Sequence, residues 1–264
     1  DDWMMAVDRS DIDGIVVAAT AAVQAQILRT AIDRGKPILV EKPLSGSLGD
    51  ALDVQRLVRA SGSLVLVDHT HTFSPAFVRL KELARNSAIL SLESRGERWG
   101  PFRADISPLW DFAPHDVSMC LQLLGERPTD IRVLEFARTH VQEGIAERIS
   151  FSLTFPSGIS ATITVGNSAP EKCRRFLCST DQGYLIYDDL KDSKLVIRRD
   201  ESGGFSQPIS ISDERPLACV VKTFVSGIRG KSRDAFGVDL GVDVVRILDV
   251  IDSQLTRFEA GNNQ

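Results

Sequence analysis

The sequence predicts an α/β domain with a partial parallel sheet, followed by an α+β domain with a largely antiparallel sheet. Three short apolar segments, 14–19, 37–40 and 64–67, alternate with helical stretches in the first third of the chain. Continuous apolar runs of this kind are typical of strands buried on both faces of a parallel sheet. After residue 75 this alternation ends and longer strand patterns follow. We therefore expect one domain at 1–75 and a second at 76–264.

The composition is that of an ordinary globular protein. The 264 residues are 43% apolar and 25% charged, with a net charge of −5, which excludes a disordered chain, a coiled coil and a collagen-like chain. An acidic chain without a basic patch is not expected to bind nucleic acid. The apolar runs are too short to cross a bilayer. The four cysteines form neither a disulfide framework nor a zinc signature, so we expect a cytoplasmic protein with reduced thiols.

The elements of the first domain follow a strand–helix order. Apolar residues at helical spacing predict a helix over 21–34, which Gly35 ends. Ser47 and Asp50, three residues apart, resemble a capping box that opens a helix running to residue 60, before Gly62. Together with the three strands, these helices form a βαβαβ series, and right-handed crossovers make its sheet parallel.

The second domain mixes helices with long strands. We predict an extended segment at 88–98 and helices at 76–85, 111–124, 216–229 and 238–256. Strand patterns run from 129 to 198, and 149–155 and 159–165 form a hairpin around Pro156-Ser157-Gly158. The segment 200–204 is predicted to be an exposed turn.

Glu41-Lys42-Pro43 stands at the carboxyl end of the predicted strand that ends at Val40. Ligands of open α/β sheets bind beyond such strand ends. A lysine there can hold an anionic group or donate a hydrogen bond to a substrate oxygen. A solvated Glu–Lys pair before a proline turn is the more common situation for charged loop residues, so the tripeptide alone favours that interpretation and leaves a ligand site as the alternative.

Asp111 and His115 lie on a mostly apolar predicted helix. They are four residues apart, so a helix places them on one face, and Ser118 and Gln122 share that stripe. A histidine can exchange a proton near neutral pH, and a carboxylate one turn away can orient its ring. The stripe is therefore either the wall of a site or the solvent side of an amphipathic helix.

His69 and His71 raise the question of a bound metal ion. Two histidines at positions i and i+2 of a strand end point to opposite faces, which suits a shared ion poorly. No third ligand follows at a suitable spacing. We therefore predict no metal site.

Three segments, taken in order, resemble the Gfo/Idh/MocA family of NAD(P)-dependent oxidoreductases, which act mostly on sugars, inositols and nucleotide sugars. Asp13-Gly-Ile-Val-Val-Ala resembles the fourth strand of the family's Rossmann domain, and Glu41-Lys42-Pro43 resembles its Glu-Lys-Pro signature. Asp111-Phe-Ala-Pro-His115 resembles the family's Asp-x-x-x-His helix. The resemblance extends to the last helix and implies a Rossmann domain followed by a substrate-binding and dimerisation domain.

The resemblance also implies roles for individual residues. Lys42 would hydrogen-bond the reacting hydroxyl, His115 would be the general acid/base, and Asp111 would contact the substrate or orient the imidazole. The residues implied to contact NAD or NADP are Glu41, Lys42, Pro43 and Thr20. The Lys42–Pro43 peptide bond would be able to adopt the cis form.

Three further side chains are candidates for substrate binding. Thr70-His71 replaces the Asn-Arg pair often found after the third strand in the family, which makes His71 a candidate. Arg95 and Arg103, with Arg98 between them, are candidates for binding a phosphate or sugar-nucleotide group. A solvated or ion-paired arginine face is the alternative.

The sequence departs from the family pattern in its first residues. Ala-Thr-Ala-Ala-Val-Gln at 19–24 replaces the usual Thr-Pro-x-x-x-His, and no glycine-rich turn precedes the first strand. The family carries that turn in an earlier part of the domain, on the order of 60 residues long. We therefore expect a fragment of a longer enzyme, or a truncated product, whose 264 residues alone do not bind NAD or NADP with useful affinity.

The leading functional hypothesis is NAD(P)-dependent hydride transfer to or from a hydroxyl or keto carbon of a sugar, inositol or nucleotide sugar. A non-catalytic ligand sensor or interaction module of the same fold is one alternative. Transient oxidation that serves elimination or glycoside cleavage is another. Since family members commonly dimerise through the outer face of the second sheet, the Ser/Thr face of the hairpin predicts a homodimer, with an ordinary polar surface as the alternative.

Overall fold

A computed structural model describes residues 3–199, 206–230 and 237–262. The chain forms two compact units, one made of Asp1–Thr70 with Arg215–Asp249 and the other of His71–Glu214 with Val250–Gln264. The turn expected at 200–204 lies outside the described residues. This division differs from the expected 1–75 and 76–264, because a late segment of the chain returns to the first unit.

The described part of the first unit is built on a parallel sheet with the order β1-β2-β3. The strands are β1 (Ile15–Val17), β2 (Ile38–Glu41) and β3 (Val65–Asp68), and the helices before and between them are α1 (Trp3–Val7), α2 (Ala21–Asp33) and α3 (Leu48–Ser61). In the central strand, Ile38, Leu39 and Val40 are all buried, as expected for a strand covered on both faces. The predicted parallel α/β arrangement is confirmed.

Local signals set the ends of α3. The Ser47 hydroxyl accepts a hydrogen bond from the Asp50 backbone N–H at 3.1 Å, as in the predicted capping box. Gly62 ends the helix in the left-handed region with φ 68°, which costs a glycine little because it has no Cβ.

Two late helices complete the first unit: α6 (Pro216–Ile228) and the start of α7 (Val238–Asn262). A Cβ on Gly227 of α6 would lie only 2.8 Å from a methyl carbon of Leu64. A Cβ on Gly241 of α7 would lie 3.1 Å from Leu44 and from Val67. These glycines let both helices pack closely on the parallel sheet, which is why this segment belongs to the first unit.

The second unit is built on an eight-stranded sheet with the order β11-β10-β9-β8-β4-β7-β6-β5. Its strands are β4 (Ile89–Trp99), β5 (Asp130–Val141), β6 (Gly144–Thr154), β7 (Ser160–Gly166), β8 (Ser168–Thr180), β9 (Gly183–Asp188), β10 (Leu195–Arg198) and β11 (Ser206–Pro208). β4 pairs with β7 in parallel, and the other neighbours pair antiparallel. The predicted α+β domain with a largely antiparallel sheet is confirmed.

Helices α4 (Pro75–Ala84) and α5 (Pro108–Leu124) pack on strands of this sheet. In the predicted hairpin of β6 and β7, the side chains of Phe151, Leu153 and Ile163 are fully buried. Thr162 and Thr164, on the opposite face of β7, keep partial exposure. The sheet therefore has one apolar face that forms the core and one face rich in Ser and Thr.

Candidate active site

The carboxyl edge of the parallel sheet carries the first group of candidate residues. Glu41 at the end of β2 stands opposite Asp68 at the end of β3, and Lys42 follows directly. Burial raises the pKa of the Glu41 carboxyl, and the negative charge of Asp68 raises it further. Burial also raises the pKa of Asp68, while a hydrogen bond from Thr70 and the charge of Lys42 oppose that rise. This edge is thus a half-buried ionisable cluster rather than a fully solvated ion pair.

Gln24, near the start of α2, forms hydrogen bonds to the backbone of the Glu41–Leu44 loop. Its side chain is 1% exposed, and its amide nitrogen donates to the carbonyl oxygens of Glu41 at 3.0 Å, Pro43 at 2.6 Å and Leu44 at 3.3 Å. The Lys42–Pro43 peptide bond within this loop is cis, as the resemblance implied. In the sequence, Gln24 stands out only as a departure from the family pattern, and this glutamine in place of the usual histidine was the available signal.

Thr20 lies at the start of α2, three residues after the carboxyl end of β1. It is exposed and has extended backbone angles, and its side chain makes no capping hydrogen bond to the helix. Its carbonyl oxygen accepts hydrogen bonds from the N–H groups of Val23 and Gln24, both at 3.1 Å. The positive end of the helix dipole is therefore located at Thr20.

His69 and His71 belong to different units and have different surroundings. His69 is 1% exposed, and burial, with a smaller effect of the Lys42 charge, lowers its pKa to about 3. It is therefore neutral at physiological pH. The described ranges contain no group of three or more His, Cys, Asp and Glu side chains that could hold a metal ion.

The second group of candidate residues lies on α5 in the second unit. Asp111 and His115 are both partly buried, and Arg103 approaches the Asp111 carboxylate at 3.9 Å. Farther along the stripe, Ser118 is fully buried, and Gln122 accepts a hydrogen bond from Lys81 of α4 at 2.7 Å. The polar stripe therefore makes contacts inside the unit, which argues against a simple solvent-facing side.

His71 lies between His115 and Tyr187 in a chain of contacts. The rings of His71 and His115 meet edge to face, with their centroids 4.9 Å apart and their planes at 88°. His71 Nδ1 is 3.0 Å from the Tyr187 hydroxyl oxygen. Burial, followed by the positive charges of Arg174, Lys172 and Lys194, lowers the pKa of His71 well below its ordinary value.

A buried ion pair fixes α5 to the sheet directly after His115. Asp116 is 0% exposed, and Arg174 of β8 donates to its Oδ2 at 2.9 Å. Ser94 of β4 donates to the other carboxylate oxygen. A side chain at Gly96 would collide with the Arg174 guanidinium, so this glycine leaves room for the pair. Asp116 and Arg174 could not be singled out from the sequence, because their pairing joins a helix and a strand that are far apart in the chain.

The three arginines considered for phosphate binding lie in different surroundings. Arg95 is exposed on β4 and pairs with the carboxylate of Glu97. Arg98 is also exposed, and Arg103 neighbours Asp111 as described above. No shared anion site of these three side chains is evident within the described part of the chain.

Two family profiles match this chain. Residues 1–69 match the oxidoreductase family's NAD-binding Rossmann fold, and residues 83–186 match the GFO/IDH/MocA C-terminal domain. The chain belongs to the Gfo/Idh/MocA family of oxidoreductases. The predicted family membership is therefore confirmed.

Individual relatives agree with this membership. A crystal structure of a protein from Magnetospirillum magnetotacticum MS-1, assigned as an oxidoreductase, is 33% identical, with a TM-score of 0.87 over 94% of this chain and 82% of that chain. The 4-carboxy-2-hydroxymuconate-6-semialdehyde dehydrogenase of Sphingobium sp. is 23% identical over 97% of this chain and 83% of its own length. Inositol 2-dehydrogenase 4 of Saccharopolyspora erythraea is 26% identical over 62% of this chain, and the match spans only 51% of that enzyme.

A helix that crosses a bilayer must be both long and apolar. In the three described ranges, no helix combines the necessary length with the necessary apolar character.

Proposed function

We propose that the protein is an NAD- or NADP-dependent dehydrogenase or reductase that acts on a hydroxyl or keto carbon of a sugar, inositol or nucleotide sugar. The observation that carries this proposal is His115, an ionisable side chain on a largely buried helix, one turn after Asp111 and in ring contact with His71. A histidine in such surroundings suits proton exchange with a substrate hydroxyl. Family membership supports the redox chemistry.

The carboxyl edge of the first unit suits the nicotinamide end of a dinucleotide. Ligands of open α/β sheets bind at this edge, and here it carries the half-buried Glu41 and Lys42 together with the buried Pro43. Thr20, at the helix end with the positive dipole, would contact the same cofactor. When bound, the nicotinamide supplies the acceptor or donor of the hydride. The expectation that these 264 residues alone bind it weakly stays a prediction.

The roles of the protein's own residues follow from their chemistry. An imidazole nitrogen of His115 takes the proton of the substrate hydroxyl during oxidation and returns it during reduction. The Lys42 ammonium stabilises the negative charge that develops on the same oxygen. Asp111 orients the imidazole or contacts a neighbouring substrate hydroxyl.

The test is an assay against myo-inositol, D-xylose, D-glucose and UDP-N-acetylglucosamine, with NAD and with NADP each raised until the rate saturates, because cofactor binding is expected to be weak. We expect turnover with at least one of these compounds, and His115→Ala should reduce it by about 10²–10⁴-fold, the usual contribution of a general acid/base. His140→Ala is the matched control, because His140 is exposed on β5. Absence of turnover with every compound, or an unchanged rate in His115→Ala, would refute the proposal.

A further inference from the structure

Tyr187 on β9 is a fully buried tyrosine whose hydroxyl meets three side chains of the second unit. The side chain is 0% exposed. Its hydroxyl oxygen is 3.0 Å from His71 Nδ1, and it also forms hydrogen bonds with the side chains of Ser74 and Asp189. A buried phenol whose hydroxyl is fully engaged holds its neighbours in a defined arrangement.

The direction of these hydrogen bonds follows from the number of donors and acceptors. A phenol has one hydrogen and two acceptor lone pairs. The Asp189 carboxylate, which forms an ion pair with Lys194 at 2.9 Å, only accepts and therefore takes the phenol hydrogen. The two lone pairs of the Tyr187 oxygen then accept from the Ser74 hydroxyl and from His71, so His71 Nδ1 must carry a hydrogen.

His71 is a neutral imidazole at physiological pH. Burial lowers its pKa well below the ordinary value, and the positive charges of Arg174, Lys172 and Lys194 lower it further. A neutral imidazole carries one hydrogen. With that hydrogen on Nδ1, the Nε2 atom is left as a lone-pair acceptor on a ring that packs against His115.

We propose that Tyr187 is a positioning residue that fixes His71 as the Nδ1–H tautomer, and that His71 Nε2 accepts a hydrogen bond from a substrate hydroxyl beside His115. The second half rests on the proposed function and deepens it. An acceptor at this point favours a substrate with a further hydroxyl next to the reacting carbon. A substrate carboxylate at the same place would be disfavoured, because its oxygen atoms and Nε2 would both be hydrogen-bond acceptors.

The tautomer is measured by long-range ¹H–¹⁵N NMR of the four histidines. We expect His71 in the wild type at neutral pH to show a protonated Nδ1 and an unprotonated Nε2, and Tyr187→Phe to abolish this preference. Tyr184→Phe, on the same strand, is the matched control and should leave the His71 signals unchanged. A wild-type His71 protonated on Nε2 overturns the proposal, and this measurement needs no variant to fold.

The hydroxyl contact is tested in the same spectra. Saturating myo-inositol or D-xylose should shift the His71 Nε2 resonance, while the exposed His140 serves as the internal reference. The expected tautomer without a shift from either polyol overturns the substrate contact and leaves the positioning role of Tyr187. The expected tautomer and shift together with a fully active His115→Ala variant would instead overturn the proposed function.

Discussion

At the scale of single residues, the proposed chemistry depends on ionisable side chains in partly buried surroundings. Lys42 and His115 are both partly buried, and each stands beside other titratable groups: Glu41 and Asp68 near Lys42, and His71 near His115. Groups in such surroundings can exchange protons or stabilise charge more effectively than solvated ones. The sequence alone left each of them with a structural explanation as an alternative.

The proposed sharing of one substrate oxygen by Lys42 and His115 predicts that their substitutions are not additive. Lys42→Met and His115→Ala should each lower kcat/KM by about 10²–10⁴-fold. The kcat/KM of the double variant should be only slightly lower than that of the less active single variant. Lys191→Met, at an exposed position, is the control for loss of a lysine. Losses that multiply in the double variant would show that the two residues act independently.

His69 predicts a loss of stability at acidic pH. Its folded-state pKa of about 3 lies below the ordinary value of about 6.5, so the unfolded state binds the proton more readily between these two values. Stability contributed by the neutral His69 is therefore complete above about pH 6.5 and declines as the pH falls toward 3, by about 2 kcal/mol at pH 5. Urea unfolding from pH 7 to pH 5 measures this slope.

His69→Gln removes the titrating group and should flatten that slope. His140→Gln, which replaces an exposed histidine, should leave the slope as in the wild type. Equal slopes for the wild type and His69→Gln would assign the acid sensitivity to other groups.

At the scale of elements, the candidate residues are held by contacts from neighbouring helices and strands. The Glu41–Leu44 loop depends on Gln24 of α2 through its backbone carbonyl groups. Helix α5 depends on the buried Asp116–Arg174 pair, in which both side chains are nearly inaccessible. A buried pair of this kind is costly to break, because one charge is then left without its partner.

Gln24 provides a prediction at this scale. Gln24→Leu keeps the side-chain size but leaves buried carbonyl groups of the loop without their donor, which should cost about 1–3 kcal/mol in the free energy of unfolding. The same change should lower turnover because Lys42 lies within the loop. Gln26→Leu is the matched control, since Gln26 is exposed on the same helix. Similar unfolding free energies for the two variants would contradict this role of Gln24.

At the scale of the whole molecule, the outer face of the second sheet is the surface proposed for self-association. It forms a concave polar groove whose lining includes Ser91, Arg95, Thr162, Thr164, Arg175 and Tyr184. Uncharged hydroxyl groups among these residues suit a two-fold contact in which the same face is used by both subunits. We propose that the protein is a homodimer through this face.

Thr162→Glu tests the proposed dimer by placing like charges opposite each other across the two-fold axis. Multi-angle light scattering should give twice the chain mass of 29.0 kDa for the wild type and the monomer mass for the variant, because like charges that face each other across an interface repel. Ser157→Glu, in the exposed turn between β6 and β7, should remain a dimer. A monomeric wild type at high concentration would refute the proposal.

Features governed by neighbours in the chain could be predicted from the sequence. The apolar runs at 14–19, 37–40 and 64–67 locate the three parallel strands to within two residues at each end. Burial on both faces holds for β2 and β3, whereas Val16 of β1 is 67% exposed, so that expectation was wrong for β1. The cap of α3 and the shared stripe of Asp111 and His115 depend on spacings of three and four residues. The resemblance of the motifs to a known family was available from the same residues.

Contacts between distant parts of the chain were decided by the tertiary structure. The return of Arg215–Asp249 to the first unit depends on close packing that no local pattern reveals. Gln24 reaches carbonyl groups 17 to 20 residues away, and His71 meets Tyr187 across 116 residues. Periodicity and capping report only the local surroundings of a residue, whereas these partners are brought together by strand order and helix packing.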